Sequence, residues 1–222
     1  MTEQTDVAES LRFLDLLYGT AERGWLQLWT LPDKRSSWID TGATEWRKRA
    51  ERMLGAIGPQ HDTYVRMSLM PKNLGSTQRG RAEDAIAVPG VWMDLDYAEP
   101  VAHKKPNLPA NAEAIMDLLD SLEMAPTVIV HSGYGIHAYW LGRELWTIDG
   151  PEEYVRMAAL VQRWQEYVRG KAKERGWVVD SVHDLARVLR VPGTYNHKKP
   201  GSPVMARILR TEDRDIASIQ SL

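Results

Sequence analysis

Two hydrophobic rhythms alternate along this chain, and the places where one gives way to the other predict its elements. From Val7 to Tyr18 apolar residues fall at Leu11, Leu14, Leu17 and Tyr18, the spacing of an amphipathic helix. After Gly24, Trp25–Thr30 reads as a strand, Pro32-Asp33-Lys34-Arg35 as a turn and Ser37-Trp38-Ile39 as the returning strand. Thr44 is placed to cap a helix reaching Ala56. Thr63–Leu69 is a further strand, and Pro71–Gly80, rich in Pro, Gly, Ser and Asn, is a long loop. The second half predicts a strand ending at Asp96, a Pro-rich connection Pro100–Pro109, a helix Asn111–Leu122 and a strand Pro126–His131. Gly133 and Gly135 then turn the chain into Ile136–Leu141, a β-hairpin. Pro151 opens a long helix with Tyr154, Met157, Leu160, Val161, Trp164 and Val168 on one face, and Gly176 ends it. Strands at Trp177–Asp180 and Val204–Leu209 complete the pattern. Neither an internal repeat nor a linker interrupts it, so the parts 1–89 and 90–222 are expected to pack as one unit.

Composition narrows the class. At 222 residues, 43% hydrophobic and 26% charged, the chain reads as an ordinary globular protein. No apolar run approaches the roughly 20 residues of a membrane span, and the first six residues lack the basic start of a signal peptide, so no membrane partner and a cytoplasmic location are expected. Cysteine is absent, which excludes disulfides, thiolate catalysis and Cys-ligated zinc. The formal net charge of -2 hides two stretches free of acidic residues. Val65–Ala82 carries Arg66, Lys72, Arg79 and Arg81; Ala186–Arg210 carries Arg187, Arg190, Lys198, Lys199, Arg207 and Arg210. Each could present a positive surface to nucleic acid on a nearly neutral protein, or be a solvated face.

Three constellations carry candidate chemistry. In Val91-Trp92-Met93-Asp94-Leu95-Asp96 the alternation of a strand turns both carboxylates to one side and Leu95 to the layer beneath. Like charges so close stay ionised only beside a cation, and all-oxygen ligation favours Mg²⁺ or Mn²⁺. Asp-X-Asp is also a common strand end. In His131-Ser132-Gly133-Tyr134-Gly135-Ile136-His137 two glycines let backbone N–H groups approach an anion while Ser132 and His137 add donors; a hairpin turn needs such glycines for steric reasons alone. Finally, Val178-Val179-Asp180 ends an apolar strand in a third carboxylate, or Asp180 caps a helix. Arg187 and Arg190, read as three apart on a short helix, could grip phosphates or pair with residues such as Asp184.

In this order the pieces resemble the archaeo-eukaryotic primase superfamily, in particular the primase-polymerases of plasmids, phages and mobile elements. The resemblance rests on Asp94-Leu95-Asp96, on Ser132-Gly133-Tyr134-Gly135-Ile136-His137, and on Asp180 with Arg187-Val188-Leu189-Arg190-Val191-Pro192-Gly193-Thr194-Tyr195-Asn196. It extends to Leu14-Asp15-Leu16-Leu17-Tyr18 and Arg79-Gly80-Arg81. It implies an α+β fold, a small N-terminal αβ module followed by a module like an RNA-recognition motif, with mainly antiparallel sheets around a central cleft. It implies that Asp94, Asp96 and Asp180 hold two divalent ions, Mg²⁺ or Mn²⁺, for nucleotidyl transfer. Ser132, Gly133, Gly135, His137, Arg187, Arg190 and Lys198 would bind the nucleoside triphosphate (NTP or dNTP). A single-stranded DNA template and primer are implied partners, with Arg66, Lys72, Arg79 and Arg81 on the template path.

One departure stands out: the chain has no cysteine for the zinc-binding module that helps many relatives start primers, and no room for a helicase. A helicase or accessory priming module, fused or separate, is therefore an expected partner. Two rival readings are a repair or translesion polymerase that extends primers without starting them, and a silent module that stacks bases on aromatics. A rolling-circle nuclease would need two histidines flanking one apolar residue, and no such pair occurs.

Overall fold

The computed structural model describes residues 4–99 and 105–212. Residues 1–3, residues 100–104 of the Pro-rich connection and residues 213–222 lie outside the described part.

Asp6 caps helix α1 (Val7–Tyr18) by accepting the Glu9 N–H at 3.1 Å, and the helix buries Phe13, Leu14, Leu17 and Tyr18. Strands β1 (Trp25–Leu31), β2 (Arg35–Asp40) and β3 (Asp62–Arg66) form an antiparallel sheet, with helix α2 (Trp46–Ala56) between the last two in sequence. Thr44 does not cap α2 as expected: the helix begins two residues later, behind Glu45, without a side-chain cap.

The second sheet is also antiparallel and runs β10-β5-β6-β4. It contains β4 (Ala87–Asp96), β5 (Val128–His131), β6 (Gly135–Thr147) and β10 (Arg207–Thr211). Helices α3 (Ala112–Asp120), capped by Asn111, and α4 (Pro151–Glu174), with Pro151 and two glutamates in its first turn, follow β4 and β6. Trp164 of α4 packs edge-on against Trp140 of β6 at 4.9 Å, the packing expected of core tryptophans. Pro89 is tolerated because β4 is an edge strand, and the pairing shifts register between Val88 and Gly90.

Two expectations fail in the C-terminal part. Residues 177–180 are irregular rather than a strand, with the Val178 N–H bonded to the Asn107 carbonyl and so committed to a loop. Residues 188–190 form strand β7 (Val188–Arg190), not a helix, and it pairs with β3 to complete the first sheet. The expected division near Gly90 thus falls inside β4, and chain from beyond it supplies a strand to the N-terminal sheet. Helix α1 ties the sheets together. Phe13 meets Tyr139 of β6 edge-on at 5.3 Å, and the Tyr18 hydroxyl donates to the Arg66 carbonyl of β3 at 2.6 Å. One continuous apolar core results. A short ribbon, β8 (Tyr195–Asn196) with β9 (Val204–Met205), lies beside the β5–β6 turn, where Asn196 donates to the Ser132 carbonyl at 2.8 Å. Among the described residues no helix is long and apolar enough to cross a membrane.

Candidate active site

The register of the β4–β6 pair builds the floor of the site. Asp94 stands opposite His137 and Asp96 opposite Gly135, with Leu95 buried on the reverse face as the alternation predicted. A Cβ on Gly135 would come within 3.1 Å of Asp96 Oδ1 and 2.9 Å of the Leu95 carbonyl, so this glycine makes room for the carboxylate. Gly133, at φ +107°, lets Asn196 close on the turn; a Cβ there would sit 2.8 Å from the Asn196 Cβ. Its N–H donates to His131 Nδ1 at 3.3 Å.

Two neighbouring cavities of about 320 Å³ each share Asp94 and Asp96. The first is also lined by Lys105, Asp180 and Arg187; the second by Asp62, Tyr64, Ser132, His137, Arg190, Asn196 and Lys198. Of the predicted site residues, the three aspartates, Ser132, His137, Arg187, Arg190 and Lys198 are therefore brought together. The donors are of the kind a hard divalent cation takes, three carboxylates around one cavity. Among the described residues no group of three His, Asp or Glu already stands in ion-holding geometry, and Asp180 instead pairs with Lys105 at 2.5 Å.

Charge at the floor is expensive. Only 31% of the Asp94 side chain is open to the cleft, and burial pushes its carboxyl up to about 6 despite the pull of Arg187, Lys198 and Arg190, with Asp180 adding to the rise. His137 lies 3.5 Å from Asp94 through Nε2, yet burial, helped by Arg190 and His131, lowers its pKa to about 3, so the imidazole is neutral and the contact is not an ion pair. Its Nδ1 meets the Tyr139 hydroxyl at 3.3 Å.

Arg190 is buried and held from three sides. It donates from Nη1 to Asp62 Oδ1 at 2.6 Å and to the Tyr195 carbonyl at 2.7 Å, and from Nη2 to the Tyr64 hydroxyl at 2.8 Å, while lying 4.7 Å over the Tyr64 ring. Arg187 keeps its expected ion pair with Asp184 at 3.3 Å and borders the first cavity. Asp62, Tyr64 and Lys105 were not anticipated from the sequence. Asp62 and Tyr64 are two apart on a strand and so share a face, a signal that was present; Lys105 offered none.

The expected template residues divide. Arg66 does not reach solvent: it is fully buried and donates to the Ser68 hydroxyl and to the carbonyls of Arg79 and Arg81 at 2.8, 2.7 and 2.6 Å. It fixes the loop instead of offering charge to a strand. Lys72, Arg79 and Arg81 are exposed, and Arg79 leans on the Ala186 carbonyl beside the first cavity. In the second basic stretch Arg207 is paired with Asp6 and Glu9, and Arg210 with Asp120, so acids from distant parts of the chain neutralise that end.

No protein-family model and no curated protein matches the sequence. Among solved structures, the AEP domain of the primase-polymerase of cyanophage S-2L superposes with a TM-score of 0.57 at 15% identity, covering 99% of this chain and 98% of that one. The chain has the fold of an archaeo-eukaryotic primase domain. Two structures of the primase RepB', one of its catalytic domain in complex with initiator DNA, are matched at TM-scores of 0.44 and 0.43 and 14% identity. They cover 97% and 96% of this chain, and 61% and 93% of their own. The second cavity is lined by strands of both sheets, and the first by β4 and the irregular segment 178–182.

Proposed function

We propose that the protein is a nucleotidyltransferase that copies a single-stranded DNA template, a primase or primase-polymerase acting in the replication of a plasmid, phage or mobile element. One observation carries the reading: an acidic cavity and a cavity walled by His137, Arg190, Lys198 and Ser132 share Asp94 and Asp96. A triphosphate in the second would present its reacting phosphate at the edge of the first. Asp94, Asp96 and Asp180 would hold Mg²⁺ or Mn²⁺ there, with Asp180 exchanging Lys105 for the ion. The bound ions would supply charge neutralisation on the attacking and leaving oxygens.

The chain's own groups do the remainder. Arg190, already oriented by Asp62 and Tyr64, offers its remaining N–H donors to phosphate oxygens without losing further freedom on binding. Neutral His137 can donate from Nε2 to a nucleotide oxygen while Tyr139 fixes its other nitrogen. Arg187 and Lys198 supply positive charge on either side of Asp94. A helicase or priming module, fused or separate, would be a partner, an expectation that the family resemblance supports.

The test is direct. Single-stranded DNA templates with and without a primer are offered with NTPs or dNTPs and Mg²⁺ or Mn²⁺, and the product ladder is read. Products on unprimed template support primase action, and extension alone supports the repair-polymerase rival. Absence of incorporation under every condition, or full activity in Asp94→Ala, overturns the reading.

A further inference from the structure

The face of the first sheet that carries Arg190 also carries two aromatic rings in line with it. Trp29 of β1 pairs directly with Tyr64 of β3, and Tyr64 pairs directly with Arg190 of β7. Opposed residues of antiparallel strands share a face, so the three side chains form one row across the sheet. Each ring has a guanidinium on it: Arg79 lies 5.2 Å from the centre of Trp29, and Arg190 4.7 Å from that of Tyr64. Both rings are half-buried, whereas Trp38, Trp46, Trp92, Trp140 and Trp164 are buried.

The row has two defined ends. Tyr64 and Arg190 line the nucleotide cavity. Arg79 belongs to the loop 71–81, which is pinned over the same sheet face by Arg66, by Trp38 donating to the Gly75 carbonyl, and by Gln27 and Ser36 donating to the Gln78 carbonyl. Arg79 is therefore presented by a braced loop rather than by chance contact. Of the acids beside the row, Asp62 accepts from Arg190 and from the His197 N–H, and Asp33 accepts from the Thr30 hydroxyl, while Asp94 and Asp96 stand at its nucleotide-cavity end. Flat rings flanked by cations, beside a stretch without acidic residues, match the chemistry of single-stranded nucleic acid, whose bases stack and whose phosphates seek positive charge.

We propose that Trp29 and Tyr64 form a stacking platform for successive bases of the single-stranded template, leading from Arg79 toward the nucleotide cavity. The direction of the strand rests on the polymerase reading; the platform itself does not.

The experiment measures binding of a fluorescein-labelled oligo-dT to the full chain, with chelator and without nucleotide, across a salt series. Trp29→Leu keeps an apolar side chain but removes the ring, and should weaken binding about tenfold, the loss of one base–aromatic stack. Its salt slope should stay that of the wild type, because no phosphate contact is lost. Arg79→Ala should instead flatten the slope by about 0.7. A second variant guards against misfolding: in Trp29→Phe the ring and most of the affinity remain, but the share of tryptophan fluorescence quenched by oligo-dT should fall.

Binding of Trp29→Leu within twofold of wild type, or undiminished quenching in Trp29→Phe, overturns the platform. So does a raised nucleotide KM in Trp29→Leu with unchanged oligo-dT affinity, which would assign the row to the incoming base. Normal primer extension with unchanged oligo-dT binding in Trp29→Leu would refute the platform and leave the polymerase reading standing. Stacking through Trp29 with no incorporation by the wild type would do the reverse.

Discussion

Asp94→Asn should make the ion-free protein more stable while ending its chemistry. The carboxyl is pushed from 3.8 to about 6, so its charged form is disfavoured in the folded state. Each pKa unit is worth about 1.4 kcal/mol, giving an upper figure of about 3 kcal/mol. The 31% of the side chain open to the cleft lets water screen part of this, leaving about 2 kcal/mol. For a chain of this size that is a rise of roughly 4 to 8 °C in Tm. The sign follows from linkage. A carboxyl raised in the folded state takes up its proton first on folding, so its cost is present above about pH 6 and is relieved as pH falls toward 4. Thermal unfolding with chelator should therefore show the variant ahead at about pH 7.5 and level with wild type near pH 4. Added Mn²⁺ should raise the wild-type Tm and leave the variant's nearly unmoved, because a ligand stabilises only the state that binds it. An Asn variant that unfolds at or below the wild-type temperature at neutral pH would refute the account, as would an advantage independent of pH.

Three further outcomes are expected. Arg66→Met should cost about 3 kcal/mol, because the Arg79 and Arg81 carbonyls lose their guanidinium donors and the buried Ser68 hydroxyl keeps only its bond to the Leu185 carbonyl; a denaturant melt checks this, and an unchanged midpoint would return Arg66 to the surface. His137→Gln should raise the nucleotide KM more than it lowers kcat, and should make the fold less acid-sensitive. The native histidine favours folding above its ordinary pKa of 6.5, and that contribution is lost as pH falls toward its folded value of about 3. Lys105→Ala should lower the Mn²⁺ concentration giving half of the thermal shift, since the ammonium on Asp180 no longer competes with the ion; an unchanged or higher concentration would mean that Lys105 does not occupy the ion's place.

Legibility in the sequence followed how local the determining physics was. Helix α1 was read to the residue because its apolar stripe and the buried core agree over three turns. The carboxylates of β4 were placed on one face because a strand allows no other outcome once Leu95 is buried. Strand β7 was misread because Arg187 and Arg190 fit a helical spacing as well as a strand, and only its pairing with β3, more than a hundred residues away, decides between them. Arg66 was misread for a related reason. Its charge suggested the surface, and nothing nearby in the sequence shows that two loop carbonyls and a hydroxyl would satisfy it inside.

The same distinction explains why the three aspartates differ in standing. Asp94 and Asp96 are fixed by the long β4–β6 ladder of the second sheet, so their separation is set by strand geometry whether or not an ion is bound. Asp180 sits in an irregular segment, more than half exposed, paired with a lysine of the Pro-rich connection. Its position is set by side-chain charge rather than by backbone pairing, and water screens an ion pair as exposed as this one. On the proposed reading, a divalent cation held by the two fixed carboxylates would compete with a single ammonium for the third. On that reading two of the three carboxylates are set by the fold and the third would be completed on binding, which would explain why a carboxylate as costly as Asp94 is retained: the charge that burial disfavours is the one a bound cation would need.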